Sequence, residues 1–465
     1  MFAPETYAAR RSALASSVGD GLVVLLGNGD APMNYAGNLY PFRQDGSFLY
    51  YTGLDAPSLA LTLDAETGRT VLYGHDPTLD DVIWEGPMAS LADRAARAGI
   101  GETAAPGALD DAVAAAREAG RTVHVLPPYR GDSKIRLARL LGQDSDAVDA
   151  SAALVDAVIA QRLVKSDEEV TEIERAVALA AEAHALAMRL AQPGRTEREV
   201  AAAVQAHYAA QGGYASFPVL LTKRGETLHN HATDAVLDEG DLLLVDTGAV
   251  VSGTRYVSDV TRVSPVGGTF SDRQRAVVEA VLDAQEAAIA GMAPGVPFRD
   301  LHTLAAVTLT RGLQGLGLMR GDAEAAVEAG AHALFFPHGL GHAMGLDVHD
   351  MESLGEDRVG YDDEIRRSDQ FGTASLRFGR RLAPGHVMTV EPGCYLIPPL
   401  IDAWQAEGRH DEFIDYAALG DWRDFGGVRI EDDVLVTEDG ARVLGPEIPK
   451  APDAVEAAVR SGAGS

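Results

Sequence analysis

The chain has 465 residues and a formal net charge of −30, from 69 acidic against 39 basic residues, which argues against nucleic acid or an anionic membrane as a partner because phosphate binding needs clustered lysine and arginine. That length exceeds the size at which one hydrophobic core stops growing, so we expect two domains. Cys394 is the single cysteine and no apolar run reaches membrane-spanning length, so we expect a soluble cytoplasmic protein without disulfides.

Helices and strands alternate in the first third of the chain. The hydrophobic pattern predicts an amphipathic helix over 5–18, followed by a short buried strand. A hairpin is predicted from 59–63 and 70–73. The aromatic-rich segment 41–54 is expected to end in a strand, and its rings suit a packed corner as well as a substrate-binding surface. These patterns predict a small α/β domain over residues 1–160.

The second predicted domain covers residues 161–465 and begins with a long alanine-rich helix. Ser166 and Glu169 have the spacing of a capping box at the start of that helix. Further helices alternate with apolar strands, which are predicted at 217–221, 241–246, 255–263, 387–391 and 428–436. The whole chain is therefore predicted to be a mixed α/β (α+β) protein.

A glycine-rich segment over 337–350 carries three histidines, His338, His342 and His349. Each glycine would cost a helix interior about 1 kcal/mol, so the segment is predicted to be a loop. Neutral imidazole is the commonest metal ligand and the commonest acid–base group. Ordinary histidines in a turn are the alternative, and the rest of the chain must decide between the two.

Four acidic residues lie inside or at the end of apolar strands: Asp246, Asp259, Glu391 and Glu431. Acidic side chains are almost never buried unless they are paired or bound to metal. Exposure at a strand end explains any one of them, whereas a shared cation site explains all four together with the histidine loop. This oxygen-rich set suits Mn²⁺ better than a structural Zn²⁺, and it is large enough for two ions about 3.5–4 Å apart.

The ordered set Asp246, Asp259, His342, Glu391 and Glu431 resembles the pita-bread metallopeptidases, the family of methionine aminopeptidase, aminopeptidase P and prolidase. Four segments resemble its proline-specific branch: 338–342, 346–350, 389–393 and 426–432. Phe42-Arg43-Gln44 resembles the amino-terminal domain of that branch. The resemblance implies a curved antiparallel sheet flanked by helices in the second domain, and a homodimer or dimer-based oligomer.

The resemblance also implies the ligands of two divalent ions, with Mn²⁺ expected and Co²⁺ or Zn²⁺ as alternatives: Asp246, Asp259, His342, Glu391 and Glu431. Asp259 and Glu431 would bridge the ions, and Glu391 would also carry a proton from the attacking water to the leaving nitrogen. His349 would donate a hydrogen bond to the carbonyl oxygen as it becomes an oxyanion. His338 completes the expected catalytic residues.

The implied substrate-binding residues are His229, His338, His349, Arg377 and Arg429. Arg429 precedes Glu431 by two positions on a strand, so it shares a face with that acid and could orient metal-bound carboxylates. For His229 and Arg429, a purely structural hydrogen-bonding role is the alternative. One departure concerns Asp246 and Asp259, which are thirteen residues apart, two more than is usual in these peptidases.

The expected reaction is hydrolysis of the Xaa-Pro bond in proline-containing peptides. A dipeptidase must hold the free carboxylate that follows proline, and arginine is the usual carboxylate clamp. Arg377 matches the prolidase arginine with that role, which favours an Xaa-Pro dipeptidase over aminopeptidase P acting on longer peptides. A metal-free binding module on the same scaffold is the remote alternative, although relatives of that kind lose metal ligands.

Overall fold

The computed structural model describes residues 1–462 and divides into two compact units. The first unit contains residues 1–162 and the short segment 351–355, and the second contains 163–350 and the chain from 356 onward. Among residues 1–462, every helix is too short or too polar to cross a lipid bilayer.

The first unit is built on one five-stranded mixed sheet with the strand order β4-β3-β2-β1-β5. The strands are β1 (Leu22–Leu26), β2 (Ala60–Asp64), β3 (Thr70–Tyr73), β4 (Glu102–Ala104) and β5 (Val123–Val125). The helices are α1 (Pro4–Val18), α2 (Gly46–Thr52), α3 (Leu79–Glu85), α4 (Leu91–Arg97), α5 (Ala108–Glu118), α6 (Gly131–Leu141) and α7 (Ala152–Leu163). A core cluster joins β1 to α5 and α6 through Val24, Val113 and Leu140. The predicted helix over 5–18 and the predicted hairpin are both present.

The prediction that the aromatic segment ends in a strand is wrong, because 46–52 forms helix α2. Every residue of α2 is buried, so neither a helical nor a strand-like alternation of polar positions appears in the sequence. The local signals lie at its ends. Asp45 caps the helix by accepting a hydrogen bond from Phe48 N at 2.8 Å, and Gly53 ends it in the left-handed region at φ 66°.

The second unit contains only antiparallel strand pairs among the described residues. A three-stranded sheet β10-β8-β7 uses β7 (Leu220–Thr222), β8 (Leu242–Thr247) and β10 (Val260–Pro265). A second sheet β11-β14-β15 uses β11 (Val387–Val390), β14 (Asp432–Val436) and β15 (Ala441–Val443). Two strand pairs complete the set: β6 (Tyr214–Ala215) with β9 (Ala249–Val250), and β12 (Gly393–Tyr395) with β13 (Gly427–Arg429).

Eight helices accompany these sheets within the described part of the second unit: α8 (Asp167–Leu190), α9 (Glu197–Ala210), α10 (Asp272–Gly291), α11 (Phe298–Gly315), α12 (Ala323–Ala329), α13 (Glu356–Gly360), α14 (Pro398–Glu407) and α15 (Pro452–Arg460). The predicted capping box is present at the start of α8, where Ser166 N donates to Glu169 Oε2 at 3.0 Å. All residues of β8 and β10 are buried, so any acid in these strands lies out of solvent. The expected mixed α/β fold is confirmed.

Candidate metal centre and substrate pocket

Strand pairing brings the predicted acids together from distant parts of the chain. Asp246 lies on β8 opposite Thr261 of β10, and Asp259 immediately precedes β10. Glu431 forms an isolated β-bridge with Thr261, which ties the start of β14 to β10. Glu391 follows β11 directly. The four carboxylates therefore come from the ends and edges of neighbouring strands and face one region.

His342 supplies the imidazole of this cluster. Its Nε2 lies 3.5 Å from Asp259 Oδ2 and 3.7 Å from Glu391 Oε1. Its Nδ1 lies 3.2 Å from Ala343 O, and since a carbonyl oxygen only accepts, Nδ1 carries the proton and Nε2 presents its lone pair to the carboxylates. Asp259, His342 and Glu431 each offer a ligand atom within 4.8 Å of the others.

The donor set fits a bound cation. Asp246 Oδ1 and Asp259 Oδ1 are buried and have no hydrogen-bond partner among residues 1–462. Burial, followed by repulsion from neighbouring carboxylates, raises the pKa of Asp259 and of Glu431 well above the ordinary range. Buried carboxylate oxygens without hydrogen-bond partners beside an imidazole lone pair are unfavourable unless positive charge lies between them. A divalent cation would satisfy that requirement.

Arg429 orients the carboxylates through a buried hydrogen-bond network. Its guanidinium donates to Asp246 Oδ2 at 2.5 Å, to Thr261 Oγ1 at 3.1 Å and to the Tyr395 hydroxyl at 2.8 Å. Thr261 Oγ1 in turn donates to Glu431 Oε2 at 2.6 Å. Arg429 thus fixes Asp246 directly and Glu431 through Thr261. The other carboxylate oxygen of Asp246, Oδ1, forms no hydrogen bond with the guanidinium.

A pocket of about 720 Å³ opens onto this cluster. Its lining includes all five expected metal ligands and all five expected substrate-binding residues: Asp246, Asp259, His342, Glu391, Glu431, His229, His338, His349, Arg377 and Arg429. Ligand pockets commonly enclose about 300–1,000 Å³, so this volume suits a small peptide. The structure therefore brings every predicted site residue to one place, while the individual roles of these residues stay predictions.

Both ring nitrogens of His338 are engaged within the protein. Nδ1 lies 2.8 Å from Gly339 O and must donate to it, while Nε2 lies 2.9 Å from the Tyr395 hydroxyl and accepts from it. Burial lowers the pKa of His338 to about 3, and the Arg429 charge adds to that effect. The neutral ring, with Nδ1 3.9 Å from Glu391 Oε2, contributes a rigid pocket wall beside the cluster.

His349 and Arg377 lie on other parts of the pocket wall. The His349 ring packs against the His342 ring with 4.2 Å between centroids. Arg377 Nη1 donates to Glu356 Oε2 at 2.8 Å, and the Arg377 side chain is 37% exposed. The guanidinium is therefore both held in place and reachable from solvent.

A buried carboxylate holds the loop that carries His229. Glu197, 1% exposed, accepts from Lys223 N at 2.8 Å and from Thr222 Oγ1 at 3.2 Å at one end of the loop. At the other end it accepts from Thr233 N at 2.8 Å and Thr233 Oγ1 at 2.7 Å. Burial, followed by the Arg429 charge, lowers the pKa of His229.

The longer connection between Asp246 and Asp259 leaves their strands in register. At the tip of this connection, Val251 N donates to Tyr256 O at 2.9 Å and Arg255 adopts φ 68°. The predicted strand over 255–263 therefore begins only at Val260, because this tip occupies its first residues.

Sequence reasoning missed the residues that support the ligands. Thr389 Oγ1 accepts from His342 N at 2.9 Å and lies 3.4 Å from Glu391 Oε1. Asp433 Oδ2 accepts from Asp259 N at 3.0 Å. Three of these supporting residues lie two positions from an expected ligand, which is the strand spacing for a shared face: Thr261, Thr389 and Asp433. These three residues could have been predicted from that spacing. The sequence carries no comparable signal for Tyr395, which supports Arg429 and His338.

Comparison with known proteins agrees with this geometry. Residues 171–438 match the model of metallopeptidase family M24, and residues 7–125 match the aminopeptidase P amino-terminal domain. The chain is 40% identical over 226 residues to a human Xaa-Pro dipeptidase, an alignment that covers 48% of this chain and 43% of that protein. It is 32% identical over 423 residues to a probable Xaa-Pro aminopeptidase of Phaeosphaeria nodorum, covering 91% of this chain and 88% of that protein.

Solved structures of similar proteins extend the likeness over nearly the whole chain. Pseudomonas aeruginosa aminopeptidase PepP superposes with a TM-score of 0.82 at 29% identity and 99% coverage of both chains. A zinc-substituted Escherichia coli aminopeptidase P in complex with product gives a TM-score of 0.81 at 26% identity and 100% coverage of both chains. The fold and the clustered donors define a metallopeptidase-like protein. The chain belongs to metallopeptidase family M24, and the expected resemblance to its proline-specific branch is confirmed.

Proposed function

We propose that this protein is a metal-dependent exopeptidase that hydrolyses the Xaa-Pro bond of short peptides, with Xaa-Pro dipeptides as its main substrates. The observation that carries the proposal is the convergence of five metal-competent donors with His229, His338, His349 and Arg377 on one pocket. A metal centre alone would fit many hydrolases. The adjacent exposed arginine adds a site for a carboxylate one residue beyond the scissile bond.

Two divalent ions, Mn²⁺ first with Co²⁺ and Zn²⁺ as alternatives, would be held by the five clustered donors Asp246, Asp259, His342, Glu391 and Glu431. Bound there, such ions lower the pKa of water and polarise a carbonyl group. Asp246 Oδ1 and Asp259 Oδ1, which have no hydrogen-bond partner in the part of the chain that the structure describes, and the His342 Nε2 lone pair support this assignment.

The chain's own groups account for the proton movements. Glu391, 18% exposed at its side chain, is the carboxylate that can accept a proton from the attacking water and deliver it to the prolyl nitrogen. That nitrogen is a poor leaving group until it is protonated. His349 would donate an N–H to the carbonyl oxygen as negative charge develops there, and loss of such a donor costs about 2.7–4 kcal/mol in the barrier.

Arg377 supports the choice of dipeptides. Glu356 accepts a hydrogen bond from Nη1 of its guanidinium, and the side chain is 37% exposed, so a substrate carboxylate could reach this planar group. In an Xaa-Pro dipeptide, the proline carboxylate is the charge that such an arginine would bind. An Xaa-Pro aminopeptidase, the second candidate, is favoured by the relatives of that name, which match nearly the whole chain.

Substrate length separates the two candidates. Hydrolysis of Leu-Pro and Leu-Pro-Pro would be compared in the presence of Mn²⁺, with Leu-Ala as the control for proline specificity and a chelator as the control for metal. We expect a higher kcat/KM for Leu-Pro and no activity with chelator. Equal or faster cleavage of Leu-Pro-Pro would contradict the dipeptidase assignment and favour the aminopeptidase.

Replacement of Arg377 tests its role directly. Arg377→Ala is expected to raise KM for Leu-Pro by about 10–100-fold, because a hydrogen bond to a charged group contributes about 1.5–3 kcal/mol. Arg381→Ala is the matched control, since Arg381 pairs with exposed Glu364 and does not line the pocket. An unchanged KM in Arg377→Ala would remove the proposed carboxylate clamp.

The remaining proposals concern metal, assembly and location. Mass spectrometric metal analysis after reconstitution is expected to find bound Mn²⁺, whereas a metal-free chain would favour the binding-module alternative. A homodimer or dimer-based oligomer is expected, and sedimentation velocity would test it. The single cysteine, Cys394, is buried and agrees with a reducing, cytoplasmic location. Subcellular fractionation would test that location.

A further inference from the structure

A second cavity, of about 450 Å³, lies in the second unit and shares no lining residue with the substrate pocket. Its walls come from α11, α12, the short turn Ala331–Leu334 and the segment 366–373. Ten of its twelve lining residues have polar or charged side chains.

Two histidines line this cavity without hydrogen bonds. His302 is 1% exposed and His332 is 2% exposed, and their ring centroids are 6.1 Å apart. None of their four ring nitrogens has a hydrogen-bond partner within residues 1–462. A buried polar group left in this state costs about 1–3 kcal/mol, so a partner molecule in the cavity would be favourable.

Both imidazoles are neutral at physiological pH. Burial lowers the pKa of His302 to about 3 and that of His332 to about 4, with neighbouring histidines adding to the effect. A neutral imidazole offers one N–H donor and one lone pair. His302 and His332 could therefore both be satisfied by a ligand that carries hydrogen-bond acceptors as well as hydrogen-bond donors.

The charged residues of the lining balance one another, with Arg299 and Arg366 against Glu324 and Glu328. Glu324 pairs with Arg311, and Arg299 lies 3.4 Å from Asp300. Arg366 and Glu328, in contrast, form no ion pair within the described part of the chain. The cavity therefore presents one uncommitted cation and one uncommitted carboxylate together with the two neutral imidazoles.

This charge pattern selects among ligand classes. A metal ion fits poorly, because the described residues provide no third clustered donor beside His302 and His332. A net anion could pair only with Arg366, and a net cation could pair only with Glu328. A small zwitterion matches both charges and supplies the donors and acceptors that the imidazoles require.

We propose that this cavity binds a free α-amino acid. Its carboxylate would pair with Arg366, its ammonium group with Glu328, and the polar edge of the bound molecule would hydrogen-bond to His302 and His332. Val307 and Val327 provide apolar wall for a side chain. The site is distinct from the metal centre, and the proposal does not depend on which peptide the enzyme cleaves.

Isothermal titration calorimetry of the chelator-treated full chain with L-leucine tests the site. The test variant is Arg366→Ala/Glu328→Ala, because both residues are exposed and their loss leaves the core intact. The matched control is Arg97→Ala/Glu118→Ala, the same two changes on exposed helical positions of the first unit. Acetate and methylammonium serve as probes that carry only one of the two charges.

We expect L-leucine binding that weakens at least tenfold in the test variant and is unchanged in the control, with both single-charge probes at least tenfold weaker than leucine. Equal leucine binding in all three proteins would overturn the proposal. Acetate or methylammonium binding as tight as that of leucine would also overturn it. A crystal soaked in L-leucine that shows only water on His302 and His332 would do the same.

Discussion

Thr261→Val removes the hydroxyl that connects Arg429 to Glu431 while keeping the volume of the side chain. Thr261 is fully buried, and its Oγ1 accepts from Arg429 Nε at 3.1 Å and donates to Glu431 Oε2 at 2.6 Å. The substitution leaves a buried guanidinium N–H without its acceptor and a carboxylate oxygen without its donor. The expected effect is a looser orientation of Glu431 with no cavity.

The magnitude follows from these two contacts. A hydrogen bond to a charged group contributes about 1.5–3 kcal/mol, and loss of an outer partner of a metal ligand commonly weakens metal binding by about 10–100-fold. The two estimates agree, since each tenfold change in affinity corresponds to about 1.4 kcal/mol. We therefore expect the Kd for Mn²⁺ to rise by about 10–100-fold in Thr261→Val.

The assay is Mn²⁺ binding measured by competition with a chromophoric chelator, together with kcat on Leu-Pro at saturating metal. Thr310→Val is the matched control, because Thr310 is equally buried on α11 and its hydroxyl has no hydrogen-bond partner among residues 1–462. Thr261→Ser, which keeps the hydroxyl, should recover most of the affinity. A Kd in Thr261→Val within twofold of that of the wild type would refute the reasoning.

Three further predictions concern buried polar groups. Glu197→Gln should lower the free energy of unfolding by about 2 kcal/mol, because an amide cannot accept all four hydrogen bonds of the loop it holds; an unchanged urea midpoint would count against this. Lys165→Met should lower the free energy of unfolding by about 3–5 kcal/mol, because it removes the ammonium group 3.1 Å from the buried Asp350 carboxylate. The double variant Lys165→Met/Asp350→Leu should recover part of that loss in the same urea titration. Absence of any recovery would contradict a charge effect. The unfolded chain protonates His302 and His332 below about pH 6.5, whereas the folded chain does so only near their lowered pKa values of about 3 and about 4, so stability should fall by about 1.4 kcal/mol per histidine between pH 7.5 and 5.5. In His302→Phe, the free energy of unfolding should fall less between pH 7.5 and 5.5 than in the wild type. An equal fall would show that His302 does not contribute to the pH dependence.

The residues of the candidate metal centre could be selected from the sequence because their signals are local. Asp246 and Asp259 stand out in the sequence as acids within or beside apolar strands, and the glycine-rich loop around His342 cannot be a stable helix interior. The mixed α/β fold was predicted from the hydrophobic pattern and the family from the resemblance of the ordered motifs, and both predictions are confirmed. The segment over 46–52 was predicted wrongly because complete burial removes the periodic pattern on which such predictions depend.

The tertiary structure alone decided which partners hold these residues. Thr261 and Glu431 are 170 positions apart in the chain, and Arg429 and Asp246 are 183 apart, so only strand pairing brings them into hydrogen-bond contact. The identities of the donors follow from residue type, which the sequence states directly. Three features arise only when distant side chains meet after folding: the orientation of the donors, the hydrogen-bonded nitrogens of His338 and the cavity beside His302. The reason is that hydrogen bonds and cavities depend on distances of a few ångströms between segments that are far apart in the chain.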